Sequence, residues 1–321
     1  MNQAETRIPG TGILDCIGNT PLLALRNIVP AHCARVLLKL ESQNPTGSMK
    51  DRMALAMIEA AEADGRLPAH GPVVEYTGGS TGVSLAFVCA VKRHPLHIVT
   101  SDAFAREKLD QMRIYGASLE IIHSETGGMN EKLMRGMIAA ARAVMERTGA
   151  YWTDQMNNTA PLSDYHRMAE EIWAQTNGAI DGFVQSVGTS ASLRGTSEAL
   201  RQRQPQIKVV AVEPSESPVL SGGAPGSHNI EGIGVGFVVP LWHSGVADSI
   251  AHVSTQEATA MAFRLAREEG VFAGISTGAN VVAALRLAAE LGSRATVVTI
   301  VCDSGMKYLK TYGAKFEQFT S

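Results

Sequence analysis

Apolar positions along this chain alternate between two patterns. Short runs that are nearly all apolar or β-branched predict strands at 34–41, 72–77, 97–101, 118–123, 181–187, 208–214 and 296–303. Between them, apolar residues recur at helical spacing. They predict helices at 51–63, 83–93, 106–116, roughly 129–147, 162–176, from near Ser192, and at about 256–269 and 278–291. Residues 221–240 are rich in Gly and Pro and read as irregular. Short apolar strands separated by helices imply an α/β fold, a mainly parallel sheet with helices on both faces. The sequence shows no repeat at a fixed period and no low-complexity tract.

Composition narrows the class. The chain has 321 residues, enough for two domains or one large one. It is 45% hydrophobic and 18% charged with a formal net charge of −3, as expected of a globular protein in water. No basic excess points to nucleic acid. No apolar run approaches ~20 residues, so no membrane span is expected. The start, MNQAETRIPGTG, lacks a basic stretch followed by an apolar core, so no secretory signal is expected. Cys16, Cys33, Cys89 and Cys302 show no C-x-x-C pair, which fits a reducing cytoplasm. The nine His show no ligand spacing, and no metal site is expected.

The candidate chemistry begins in the run Asn44-Pro45-Thr46-Gly47-Ser48-Met49-Lys50-Asp51-Arg52. Its first half is turn chemistry and its second half opens a helix. Lys50 therefore sits at a helix N-terminus, where the dipole disfavours a cation and should lower its pKa. Such a lysine is a candidate amine nucleophile. The competing reading is a solvated lysine that happens to start a helix. Two strand-to-helix turns, 77–82 and 188–192, are loaded with Gly, Ser and Thr. Such turns aim backbone N–H groups at an anion, although short βα loops favour these residues in any case. Neither carries the Lys of an ATP-type P-loop. Gly232-Ile233-Gly234-Val235-Gly236 looks like a dinucleotide fingerprint, but it follows an irregular segment and leads into Phe237-Val238-Val239-Pro240, which cannot open a helix cleanly.

An amine nucleophile, a phosphate cup and no metal together point to pyridoxal phosphate. At these motifs the chain resembles the cysteine synthase (O-acetylserine sulfhydrylase) and cystathionine β-synthase family, the fold-type II pyridoxal-phosphate enzymes. The resemblance runs along nearly the whole chain and in family order. Ile17-Gly18-Asn19-Thr20-Pro21-Leu22 resembles the opening motif, and NPTGSMKDR the Schiff-base segment, giving Lys50 that role. EYTGGSTG is similar to the loop that grips the substrate α-carboxylate, which implies Thr77, Gly78, Gly79, Ser80 and Thr81, with Gln155 reaching the same group. SVGTSASLRG resembles the phosphate loop, implying Gly188, Thr189, Ser190, Ala191 and Ser192. GIGVGF implies Gly232 at the substrate site, and GISTGAN matches a further signature. In CDSGMKYL the resemblance implies that Ser304 contacts the pyridine nitrogen, with Asp303 beside it as a strand-end or capping carboxylate.

The resemblance implies two α/β domains with the cofactor between them: a smaller one at 44–153, and a larger one from 1–43 plus 154–321. It implies β-replacement on an O-activated serine through an α-aminoacrylate intermediate, with Lys50 as base and a sulfide, thiol or amine as second substrate. Cysteine synthesis from O-acetylserine and sulfide is the first expectation. Cystathionine β-synthase-like or diaminopropionate-forming chemistry is the alternative, and a catalytically silent binding protein the non-enzyme one. A homodimer is implied by resemblance alone, and a serine acetyltransferase partner is not readable. Two departures stand out. Ser80 occupies the place of the family's asparagine, which also contacts the cofactor, and the usual G-T-G-G-T phosphate loop is here Gly188-Thr189-Ser190-Ala191-Ser192. Arg194 reads as a solvated helix residue.

Overall fold

The computed structural model describes residues 12–125 and 131–315. Two sheets form. The first orders its six strands β1-β2-β10-β7-β8-β9: β1 (Leu22–Ala24), β2 (Arg35–Lys39), β7 (Gly182–Ser186), β8 (Lys208–Pro214), β9 (Ser249–Val253) and β10 (Thr296–Ile300). All its pairings are parallel except β1 with β2. The second orders four parallel strands β5-β4-β3-β6: β3 (Val73–Tyr76), β4 (Leu96–Ser101), β5 (Ser118–Ile122) and β6 (Tyr151–Trp152). Buried strands such as β3, β7 and β10 have every residue enclosed, which explains their unbroken apolar runs.

The helices are α1 (Lys50–Ala63), α2 (Ser80–Lys92), α3 (Arg106–Ile114), α4 (Glu131–Thr148), α5 (Pro161–Gln175), α6 (Ala191–Arg203), α7 (Thr255–Glu268), α8 (Ile275–Leu291) and α9 (Leu309–Lys315). Every strand and helix expected from the pattern is present. The first two residues expected for α4 lie outside the described residues. The pattern missed the seven-residue helix α9 and three strands, β1, β6 and β9. Each of these strands is an edge strand of five residues or fewer, made visible only by its partner. It also started α2 and α8 three residues late, because glycines masked their first turns. In α8 the helix runs straight through Gly278, where a Cβ would overlap the Ala258 carbonyl of α7. Glycine there lets the two helices touch.

Candidate active site

The turn before α1 is fixed from both ends. The Asp51 carboxylate accepts from the Thr46 amide (2.8 Å), the Thr46 hydroxyl (2.5 Å) and the Ser84 hydroxyl of α2 (2.6 Å). Met49 donates its amide to the Cys302 carbonyl at 2.8 Å, which brings the end of β10 against the start of α1. Lys50 is thereby held at the first position of the helix. Its pKa is lowered, chiefly by burial, and the Cys302 thiol and Asp303 carboxylate raise it in smaller measure. A lowered pKa is found as expected, but its leading cause is desolvation and not the helix dipole.

Behind α1 lies a buried charge network that the sequence did not announce. Arg52 forks onto Glu41 (2.8 and 2.9 Å) and onto Glu171 of α5 (2.9 and 2.8 Å). Lys39 reaches the same Glu171 at 2.6 Å. Thr20 and Asn44 complete the shell of Glu41. Desolvation opposes ionisation of Glu171, yet Arg52 and Lys39 hold its carboxyl down at about 2. Planar, bidentate pairing of this kind fixes orientation as well as charge, and here it clamps the helix that carries Lys50.

The 77–81 loop joins β3 to α2, and α2 begins at Ser80. Its first N–H groups lack helical partners and face the loop mouth. Thr81 donates its hydroxyl to Gln155 Oε1 at 2.8 Å, so Gln155 does join this loop. Thr77 accepts from the Gly79 amide at 3.3 Å. Ser80 donates its hydroxyl to Asp303 Oδ2 at 3.1 Å, linking this loop to the other sheet beside Lys50.

The 188–192 turn joins β7 to α6. Gly188 passes so close to the 232–236 segment that a Cβ would stand 2.5 Å from the Gly232 carbonyl oxygen. Gly234 donates to the Val187 carbonyl at 3.1 Å, fixing that contact. Ser190 has φ 71°, a left-handed conformation that costs a side chain roughly 1–2 kcal/mol. Among the described residues its buried hydroxyl has no partner, and neither do Ser186 Oγ and Gln185 Oε1 just before it. Gln185 donates its amide to the Ser192 hydroxyl. Convergent N–H groups at a helix start and an enclosed free hydroxyl fit a phosphate ester. Arg194 turns away from the cup to Glu198 at 2.8 Å, as a solvated helix residue does.

The segment after β10 separates its residues. Asp303 is buried. Its Oδ2 accepts from Ser80 and from the Tyr308 hydroxyl (2.5 Å), while Oδ1 has no partner. It follows the end of β10 as expected, but its bonds to the Ser80 and Tyr308 side chains correct the capping role expected for it. Ser304 is the residue that caps: its hydroxyl accepts from the Met306 amide at 3.2 Å. It lines a cavity of about 410 Å³ with Gly47, Lys108, Gln111, Met306 and Lys307. Ser276, in the first turn of α8, is buried near Cys302, whose thiol burial pushes up to about 11. That thiol is in electrostatic contact with Lys50. Asn280 of the same helix accepts from the Ser186 amide (2.7 Å) and donates to the Ile300 carbonyl (2.9 Å), tying the ends of β7 and β10 together. The GISTGAN signature marked this helix, but its serine was not singled out.

Among the described residues no cluster of His, Cys, Asp and Glu could hold a metal, and no helix is long and apolar enough to cross a membrane. The family model for pyridoxal-phosphate dependent enzymes matches residues 13–303. A cysteine synthase from Staphylococcus aureus (strain Mu50 / ATCC 700699) is 41% identical over 306 residues, 94% of this chain and 96% of that protein. The crystal structure of O-acetyl serine sulfhydrylase isoform 3 from Entamoeba histolytica superposes with a TM-score of 0.90 at 35% identity, covering 97% of this chain and 93% of that one. That of an O-ureido-L-serine synthase superposes with a TM-score of 0.88, also at 35% identity, over 94% and 93%. Matched over residues 13–303, which include Lys50 and both loops, the chain belongs to the pyridoxal-phosphate-dependent enzymes of the cysteine synthase type.

Proposed function

We propose that the protein replaces the β-substituent of an O-activated serine, with O-acetylserine as first substrate and sulfide as nucleophile, and so makes cysteine. The observation that carries this reading is the pairing of two separate cups beside one desolvated lysine. One, at 188–192, has a free buried hydroxyl suited to a phosphate. The other, at 77–81 with Gln155, is suited to a carboxylate. Identity of 41% to a cysteine synthase across both supports it.

In this reading the 188–192 turn holds the phosphate of pyridoxal phosphate and Lys50 its aldehyde carbon. Ser80 would help hold the ring, and Ser276, with its place beside Cys302, would suit the ring nitrogen better than Ser304, whose hydroxyl already accepts from the Met306 amide. When bound, the cofactor supplies the electron-withdrawing ring that makes the substrate α-proton removable. Once the substrate amine has taken its place at the aldehyde carbon, the freed Lys50 amine, its pKa lowered by burial, would take the proton at the substrate α-carbon and return it there after the β-substituent has left and the nucleophile has added. Thr77, Gly78, Gly79, Thr81 and Gln155 hold the α-carboxylate, so the β-substituent is presented in one orientation. Gly232, with no side chain, leaves room beside the phosphate turn.

The segment 44–153 is proposed as the smaller, mobile unit. All four strands of the second sheet fall within it. Lys108 spans from it to Glu231 at 2.5 Å and stacks over the Tyr308 ring at 4.3 Å, contacts suited to closing the cleft against water.

The test is spectroscopic. The purified protein loaded with pyridoxal phosphate is mixed separately with O-acetylserine, O-phosphoserine, serine and cysteine. O-acetylserine is expected to give a red-shifted absorption with release of acetate, and added sulfide to reverse it with formation of cysteine. A response to none of the four would sink the reading. Reversal by an amine but not by sulfide would move it to diaminopropionate-type chemistry.

A further inference from the structure

Glu75 is a buried carboxylate with no part in the steps above. It lies on β3, two residues before Thr77, and is wholly enclosed. Its two oxygens face four donors. Oε1 accepts from the Tyr76 amide (2.9 Å) and the Trp152 indole (3.3 Å). Oε2 accepts from the Thr153 hydroxyl (2.6 Å) and the Gln155 amide (3.1 Å). Three of these four donors belong to residues 152–155. That segment pairs with β3 only at Tyr151 and Trp152, with one more bond from the Thr153 amide to the Val74 carbonyl. Beyond it the chain leaves the sheet through Asp154, held at φ 45°. A side chain stays in that left-handed region only where its surroundings dictate it, and the flanking bonds to Glu75 do so.

Gln155 is thus fixed twice. Its amide N–H is bound to Glu75, and its side-chain Oε1 accepts from Thr81. What it has left to offer a ligand is its NH2 group, two donors suited to a carboxylate. We propose that Glu75 is a positioning residue for the amino-acid substrate: by accepting from four donors at once, it sets Gln155 against Thr81 and so builds the grip on the α-carboxylate. The inference rests on reading 77–81 with Gln155 as the carboxylate cup.

Only the ionised carboxylate, the form that prevails above about pH 7, can accept from all four donors, so Glu75→Gln is compared with the unmodified protein above that pH. A glutamine would have to turn its NH2 toward one of the two donor pairs. Toward Tyr76 N–H and Trp152 N–H it would face two groups that cannot accept. Toward Thr153 and Gln155 it could be met by the hydroxyl, which rotates, but the Gln155 amide would be left unpaired. A buried amide without a partner drives local rearrangement, and it would do so at the residue that meets the substrate.

The experiment uses Glu75→Gln loaded with pyridoxal phosphate. Kinetics on O-acetylserine are combined with calorimetric binding of L-alanine and of L-alaninamide, which lacks the carboxylate. The expected result is a KM raised about tenfold with kcat changed by less than about twofold, since a grip equal in ground and transition states appears in KM alone. Alanine binding should weaken in parallel while alaninamide binding stays unchanged. Equal weakening of both ligands, or a fall in kcat at constant KM, would overturn the proposal. If the variant does not fold, hydrogen exchange on the unmodified protein decides. Alanine should slow exchange at the Gln155 amide and alaninamide should not; equal protection by both counts against it. Failure to bind pyridoxal phosphate or any amino acid would overturn the functional reading as well. Binding of both without this discrimination would remove the Glu75 inference alone.

Discussion

The charges behind α1 and the polar groups around the 188–192 turn are comparably buried, but they differ in whether they have partners. Lys39, Glu41, Arg52 and Glu171 bond one another at 2.6–2.9 Å, with Thr20 and Asn44 completing the shell. Gln185 Oε1, Ser186 Oγ, Ser190 Oγ, Asp303 Oδ1 and Lys307 Nζ have no hydrogen-bond partner among the described residues. Single orphans occur elsewhere, at Thr100, His166 and Ser217. Three within residues 185–190 and two more in the segment after β10, at Asp303 and Lys307, are another matter. An unpaired buried polar group costs about 1–3 kcal/mol, so a fold keeps several together where a ligand will pair them. The first region is scaffold and spends its polar groups on itself. The second, in the proposed reading, holds them open for a cofactor.

The largest effect belongs to Lys50. Lys50→Ala should abolish turnover and the visible absorption of the bound cofactor while the far-ultraviolet circular dichroism stays unchanged. Loss of the fold would place Lys50 in the scaffold and erase the contrast. Next comes Arg52→Ala, which strands Glu41 and Glu171 without their partner. Urea unfolding should show a loss of about 3–5 kcal/mol, the cost of breaking a buried pair from one side. A loss below ~1 kcal/mol would mean that this network is ornamental.

Acid and neutral pH should then separate two carboxylates. Glu171 is held at about 2, below its ordinary 4.5, so its contribution is present above 4.5 and is lost as pH falls toward 2. Burial raises Glu75 from 4.5 to about 7, so its contribution is full below 4.5 and is lost as pH rises through 7. In denaturation followed across pH, Glu171→Gln should flatten the acid limb and Glu75→Gln the limb approaching neutrality. The same limb flattened by both would contradict these assignments. The smallest effect is expected at Ser190. Ser190→Gly relieves the left-handed strain and should stabilise the cofactor-free protein by about 1 kcal/mol, yet weaken pyridoxal-phosphate binding by removing a hydroxyl. Tighter binding would show that this hydroxyl is not a ligand.

The sequence made the site legible where local chemistry determines it. The Asn44–Lys50 turn, the two glycine- and serine-rich loops and the strand–helix alternation all follow from short-range pattern. The scaffold was hidden because its partners lie far apart: Arg52 and Glu171 are 119 residues from one another, and no local rule pairs them. Glu75 was hidden for the same reason, since three of its donors come from residues 152–155. Ser304 and Asp303 show a different limit. In extended chain successive side chains point to opposite sides, so matching a motif locates the segment but leaves open which neighbour faces the ligand. Asp303 turns to Ser80, and Ser304 to the cavity by Gly47. The β6 and β9 edges escaped because so short a strand is defined by its partner and hardly at all by its own residues.

The central proposal is that the cofactor is anchored on Lys50, the desolvated lysine beside Asp303 and the 77–81 loop. Borohydride reduction of the protein loaded with pyridoxal phosphate, followed by peptide mapping, tests it directly. The account predicts a single pyridoxyl adduct on Lys50. An adduct on Lys39 or Lys307, the other lysines whose pKa burial lowers, or none at all, would contradict it.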